Sequence, residues 1–127
     1  MVCNCQHSQN ENNVIQIIAG TSVNLTFLFD GNISSYTDGV FAIRKNYETE
    51  PVIYKTVPVT EESVLNMVLT PEETAGFMEF ENGKNQASYI WGLDLTDSAR
   101  NIITNIFPQV GNPAPICVVY KHVVTEE

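Results

Sequence analysis

Positive charge is scarce in this sequence: six Lys and Arg stand against fifteen Asp and Glu, a net charge of −9. Nucleic-acid binding relies on Lys/Arg clusters that displace counterions from phosphates, so a nucleic-acid partner is not expected. Anionic membrane surfaces are disfavoured for the same reason. Histidine is scarcer still, with only His7 and His122. The sequence offers no Ser–His–Asp or Cys–His arrangement, no nucleophile elbow, no phosphate loop and no paired-histidine metalloprotease helix. The reading is a non-enzymatic protein without a cofactor. No apolar run approaches the ~20 residues that span a bilayer. The first residues carry neither a basic segment nor an apolar one, so no secretory signal is expected, and the chain should be made in a cytoplasm. The cysteines are Cys3, Cys5 and Cys117; an odd count without a secretory signal argues against a disulfide framework.

What is present is a succession of short strand signals. The 127 residues suit one domain of the usual ~100–150 residues. Residues 1–12 are polar, rich in Asn and Gln, and without periodicity; they read as a flexible arm, and 13–127 as a single β-sandwich domain. Residues 14–19 form an apolar run broken at Gly20. Val23, Leu25, Phe27 and Phe29 then alternate with Asn24, Thr26 and Leu28, the period-two mark of a half-buried strand. Further strands are expected over 40–45, 52–57 and 64–69. Thr70-Pro71-Glu72-Glu73 is a helix start, with Thr70 capping, Pro71 at the first position and Glu73 completing a capping box. Gly76 limits that helix to a turn or two, anchored by Phe77 or Phe80. Strands over 87–95 and 101–107 follow, the second alternating less cleanly. A Pro/Gly/Asn loop spans 108–115, and a last apolar strand spans 116–124. About eight strands at this spacing, with one helical turn near 70–77, predict an all-β fold: an immunoglobulin-like or related antiparallel sandwich, with a jelly roll as the neighbouring possibility.

Few residues suggest chemistry. Cys3, Cys5 and His7 alternate, so an extended arm would align them, with Cys117, His122 or a second subunit as a further ligand. Their spacing is tighter than that of zinc sites, and the reading adopted is no metal site. Asp30, Asn32, Asp94 and Asp97 are loop-edge oxygens of the kind calcium uses, but no calcium loop spacing is present, and solvated turns are expected. Trp91 shares a face with Tyr89, Leu93 and Leu95, which reads as core rather than as a platform for sugars.

Two stretches, Val68-Leu69-Thr70-Pro71-Glu72-Glu73-Thr74-Ala75-Gly76-Phe77 and Tyr89-Ile90-Trp91-Gly92-Leu93-Asp94-Leu95, resemble small β-sandwich structural proteins of phages and prophages. The N-terminal domains of baseplate and tail-fibre proteins share this plan. The resemblance covers most of the chain, roughly from Ile15 to Val124. It implies a virion component of the tail, neck or baseplate, with head decoration or a head fibre as the alternative, assembling with other virion proteins and with copies of itself. A carbohydrate- or cell-surface-binding module is the alternative of another class. Assembly would use a free sheet edge, expected at 116–124, and the arm at 1–12 as a docking segment. Deleting residues 1–12 should then leave the thermal midpoint of the monomer unchanged and reduce its assembly; unaltered assembly on size-exclusion chromatography would remove the arm from that role.

Overall fold

In the computed structural model, residues 14–77, 80, 83–108, 111 and 113–124 are described; the arm and its Cys3, Cys5 and His7 lie outside them. The alternation seen in the sequence becomes the burial pattern of the strands. Leu25 and Phe27 of β2 (Val23–Leu28) are buried between exposed Asn24 and Leu28. Leu65, Met67 and Leu69 of β5 (Val64–Leu69) do the same. The other strands are β1 (Ile15–Ile18), β3 (Asp38–Arg44), β4 (Pro51–Pro58), β6 (Gln86–Asp97), β7 (Ile102–Phe107) and β8 (Ile116–Tyr120). One short helix, α1 (Pro71–Thr74), runs on as a 3-10 turn over Ala75–Phe77. Its start is the capping box read from the sequence. Thr70 Oγ1 accepts from the Glu73 N–H, and Glu73 Oε1 accepts from the Thr70 N–H. Those bonds, with the Lys55 ammonium 3.0 Å away, hold the Glu73 carboxyl below its ordinary range. Phe77 is fully buried and meets Tyr89 edge-on.

The strands form two unequal sheets. The larger runs β1-β8-β6-β3-β4, with β7 also on β6; the smaller is β2-β5 alone. A six-strand sheet facing a hairpin-sized one, with β6 between β3 and the last strands, is the order of an immunoglobulin-like sandwich rather than of a jelly roll. Every pairing is antiparallel except β1 with β8, which is parallel. Phe27 from the small sheet packs against Phe41 and Trp91 of the large one, at centroid distances of 6.0 and 5.7 Å. One hydrophobic cluster joins both sheets and the helical turn.

Two details depart from the sequence pattern. Ile106 and Phe107 are consecutive yet both buried. The register slips between Leu93↔Phe107 and Asp94↔Asn105, so Ile106 is the extra residue of a bulge. That bulge is why 101–107 alternates poorly. The last strand, expected over 116–124, ends at Tyr120. Its neighbours run out there together. Ile18 and Gln86 are the last residues to pair with Tyr120, and only the bonds from Ala19 N to Tyr120 O and from Lys121 N to Asn85 O lie beyond. β8 is also an interior strand, flanked by β1 and β6, so the free edge expected there is absent.

The sheets close tightly over Gly39. A Cβ there would lie 2.6 Å from Leu65 Cδ2, and Leu65 is itself buried. Gly39→Ala should therefore cost ~1–3 kcal/mol by overpacking. Urea denaturation should show Leu65→Ala recovering part of that loss in the double variant, and strict additivity would disprove the contact.

Candidate functional site

The outward face of the large sheet is where the structure gathers exposed apolar side chains. Cross-strand register lays it out in rows. Tyr54, Ala42 and Gly92 stand abreast; beside them lie Thr56, Val40, Asp94 and Asn105; on the other side lie Arg44, Ile90 and Ile116. Small residues at Ala42 and Gly92 make the middle row a floor. Gly92 keeps that floor close to β7, because a Cβ would sit a tight 3.1 Å from the carbonyl oxygen of Phe107, where β7 ends against β6. Tyr47 and Tyr54 form one wall and Pro108 and Ala114 the other, around a cleft of about 240 Å³. Tyr47 and Tyr54 are 69% and 65% exposed, and Ile103, farther along the same face, is 70% exposed.

The polar groups of the cleft are tied to one another. Asn105 Nδ2 donates to Asp94 Oδ1 and to the Phe107 carbonyl, both at 2.9 Å. Arg44 donates to the Thr49 carbonyl across the β3–β4 turn at 2.6 Å. This fixes the cleft's shape and leaves its tyrosines as the groups free for contact. Such a surface suits recognition, since aromatic residues and Arg are enriched where proteins meet.

The residues singled out in the sequence are dispersed. Asn32 closes a turn by accepting from the Ser34 N–H. Asp94 lies on the outer face, whereas Asp97 is buried and accepts from the Ala99 and Arg100 N–H groups and from the Arg100 side chain. The Arg100 bond is the main cause of its lowered pKa. The two aspartates therefore point to opposite faces of β6 and share no site. Among the described residues no group of three His, Cys, Asp or Glu is placed to hold a metal. Trp91 lies in the core. Cys117 faces inward on β8, and burial pushes its thiol up to about 12.

Tyr47 and Tyr54 are the residues the sequence reading passed over. The signal for Tyr54 was its place opposite Ile53 in a period-two strand. Lys55 obscured it by sharing the inward face with Ile53, an arrangement possible because Glu73 reaches Lys55 from α1.

No known protein family matches the chain, and no curated protein is similar to it.

A thiol held protonated in a closed core should be inert. In a Cys3→Ser/Cys5→Ser variant, Cys117 should stay unmodified by a thiol-disulfide reagent at pH 8 and react once urea unfolds the chain; rapid reaction in the native state would show that β8 opens.

Proposed function

We propose that the protein is a non-enzymatic structural component of a phage particle, assembling with other virion proteins in the tail, neck or baseplate. The observation that carries this reading is the exposed apolar face just described. An outward sheet face that carries exposed Tyr47, Tyr54, Ile103 and Ile116 is the kind of surface that marks an interaction site. A net charge of −9 points that surface at protein rather than nucleic acid or anionic membrane. The likeness of the Val68–Phe77 and Tyr89–Leu95 stretches to phage sandwich proteins supplies the setting: synthesis in the host cytoplasm and residence in the virion, with self-association in the assembly. Head decoration or a head fibre is the same role at higher copy number.

A carbohydrate- or cell-surface-binding role has one observation in its favour, the two exposed tyrosine rings beside Asp94 and Asn105. Quantitative mass spectrometry of purified particles separates these readings. A small fraction of the major capsid protein's abundance is expected for a tail, neck or baseplate component. A ratio near unity would indicate head decoration, and absence from particles would overturn the structural role. Tyr47→Ala/Tyr54→Ala should lower incorporation if the face is an assembly contact; normal incorporation with lost adsorption to host cells would favour the carbohydrate reading.

A further inference from the structure

We infer that the free edge of β5 is a docking site for an extended, basic segment of a partner protein, which adds a third strand to the small sheet. The inference rests on the assembly reading only in taking the partner to be a protein.

The phase of the β2–β5 ladder sets which groups are free. The Phe29 N–H donates to the Ser63 carbonyl at 2.8 Å. Continuing that register, the pairs Phe27↔Leu65, Leu25↔Met67 and Val23↔Leu69 exchange hydrogen bonds. The N–H and C=O groups of Val64, Asn66 and Val68 therefore point away from β2. Among the described residues strand β5 has no second strand partner, and no other backbone group bonds to these three.

Exposed edges are ordinarily blunted by Pro, by charge or by brevity. The large sheet follows that rule. Its edge strand β4 opens and closes with Pro51 and Pro58 and carries Lys55, while β1 has only four residues. Strand β5 reads Val-Leu-Asn-Met-Val-Leu, with no Pro, no Gly and no charge.

Strand β2 is equally plain, but the ground beside it differs. Leu65 of β5 lies over Gly39 of β3, and Phe27 of β2 lies over Phe41 and Trp91. A strand added outside β5 would thus lie over β4. There the inward Val57, and Val59 just beyond, are only half-buried. On the opposite flank the inward residues Ile15 and Ile17 of β1 and Cys117 and Val119 of β8 are fully buried. The helical turn covers the other end of β4, through Lys55–Glu73 and the approach of Val52 to Gly76. Among the described residues, Val57 and Val59 are thus the inward apolar side chains beside β5 that the core leaves partly exposed.

Backbone groups at strand spacing select an extended polypeptide, and Val57 selects apolar residues at alternate positions. Charge selects the rest. Exposed Glu61 and Glu62 precede β5, exposed Glu72 follows it, and no Lys or Arg lies between Pro58 and Glu73. Lysines or arginines flanking the incoming strand complement that rim, whereas a second copy at −9 would repel it.

The test uses the full chain and a short synthetic peptide of alternating Val and Thr ending in Lys at both sides. With peptide, amide exchange at Val64, Asn66 and Val68 should slow while that at Asn24, Thr26 and Leu28 does not. Val68→Pro removes only an outward N–H and should weaken peptide binding by roughly an order of magnitude. The same peptide N-methylated at alternate amides, or ending in Glu, should bind far less. The proposal falls if exchange is unchanged by peptide. It also falls if those amides are already slow in the free protein at every concentration, because the chain then fills its own edge. Slowing that grows with protein concentration alone would assign the edge to a second copy and overturn it too. Because the exchange data come from the unaltered chain, they decide the matter even if Val68→Pro fails to fold. Particle abundance, measured separately, tests the virion role without reference to β5.

Discussion

Phe27, Phe41 and Trp91 form a closed triangle of rings, with centroids 5.7 to 6.0 Å apart, and among the described residues that triangle is the only place where aromatic rings of the small sheet meet those of the large. A two-stranded sheet is marginal on its own in water. Here it is held by laying Phe27, with Leu25, Leu65, Met67 and Leu69, on the inner face of six strands. Gly39 removes the side chain that would hold β5 off, and Phe107 extends the aromatic packing from Trp91 to β7 at 4.9 Å. Once inward positions are committed in this way, strand alternation fixes what faces outward. Tyr54 is exposed because Ile53 is not.

The same logic explains a charge inside the sandwich. Lys55 occupies an inward position of β4, and its ammonium is met by Glu73, whose carboxylate already caps α1. One acidic side chain therefore starts a helix, neutralises an inward lysine and pins the helical turn to the large sheet. The contact is partly exposed, so its worth lies in placement more than in energy. Beyond that contact, Val57 of β4 is packed against the core yet only half-buried.

Much of this was legible in the sequence. Each of the eight strands overlaps a stretch that apolar patterning marked as a strand, though β8 ends short of its expected bound, and the Thr70–Glu73 capping box is present atom for atom. These are local features, decided by residues within a few positions of one another. What was not legible depends on neighbours distant in sequence. The end of β8 is set by where β1 and β6 stop. The interior position of β8 comes from the parallel pairing of β1 with it, which the residues of β8 do not encode. The bulge at Ile106 blurred the alternation of β7, and Lys55 hid which face of β4 is inward. The tyrosine-walled cleft needed the last two of these facts before it could be seen.

The parallel alignment of β1 with β8 also sets the polarity of the body. The first and last described strands lie side by side and run the same way, so Ile15 begins at one pole and Tyr120 ends at the other. In an antiparallel pair, covalent neighbours at the two ends would leave from the same pole and crowd each other. Here they would depart in opposite directions along one axis. Tension applied between Ile15 and Tyr120 would thus pull along the β1–β8 pair, shearing its row of hydrogen bonds together instead of unzipping them singly.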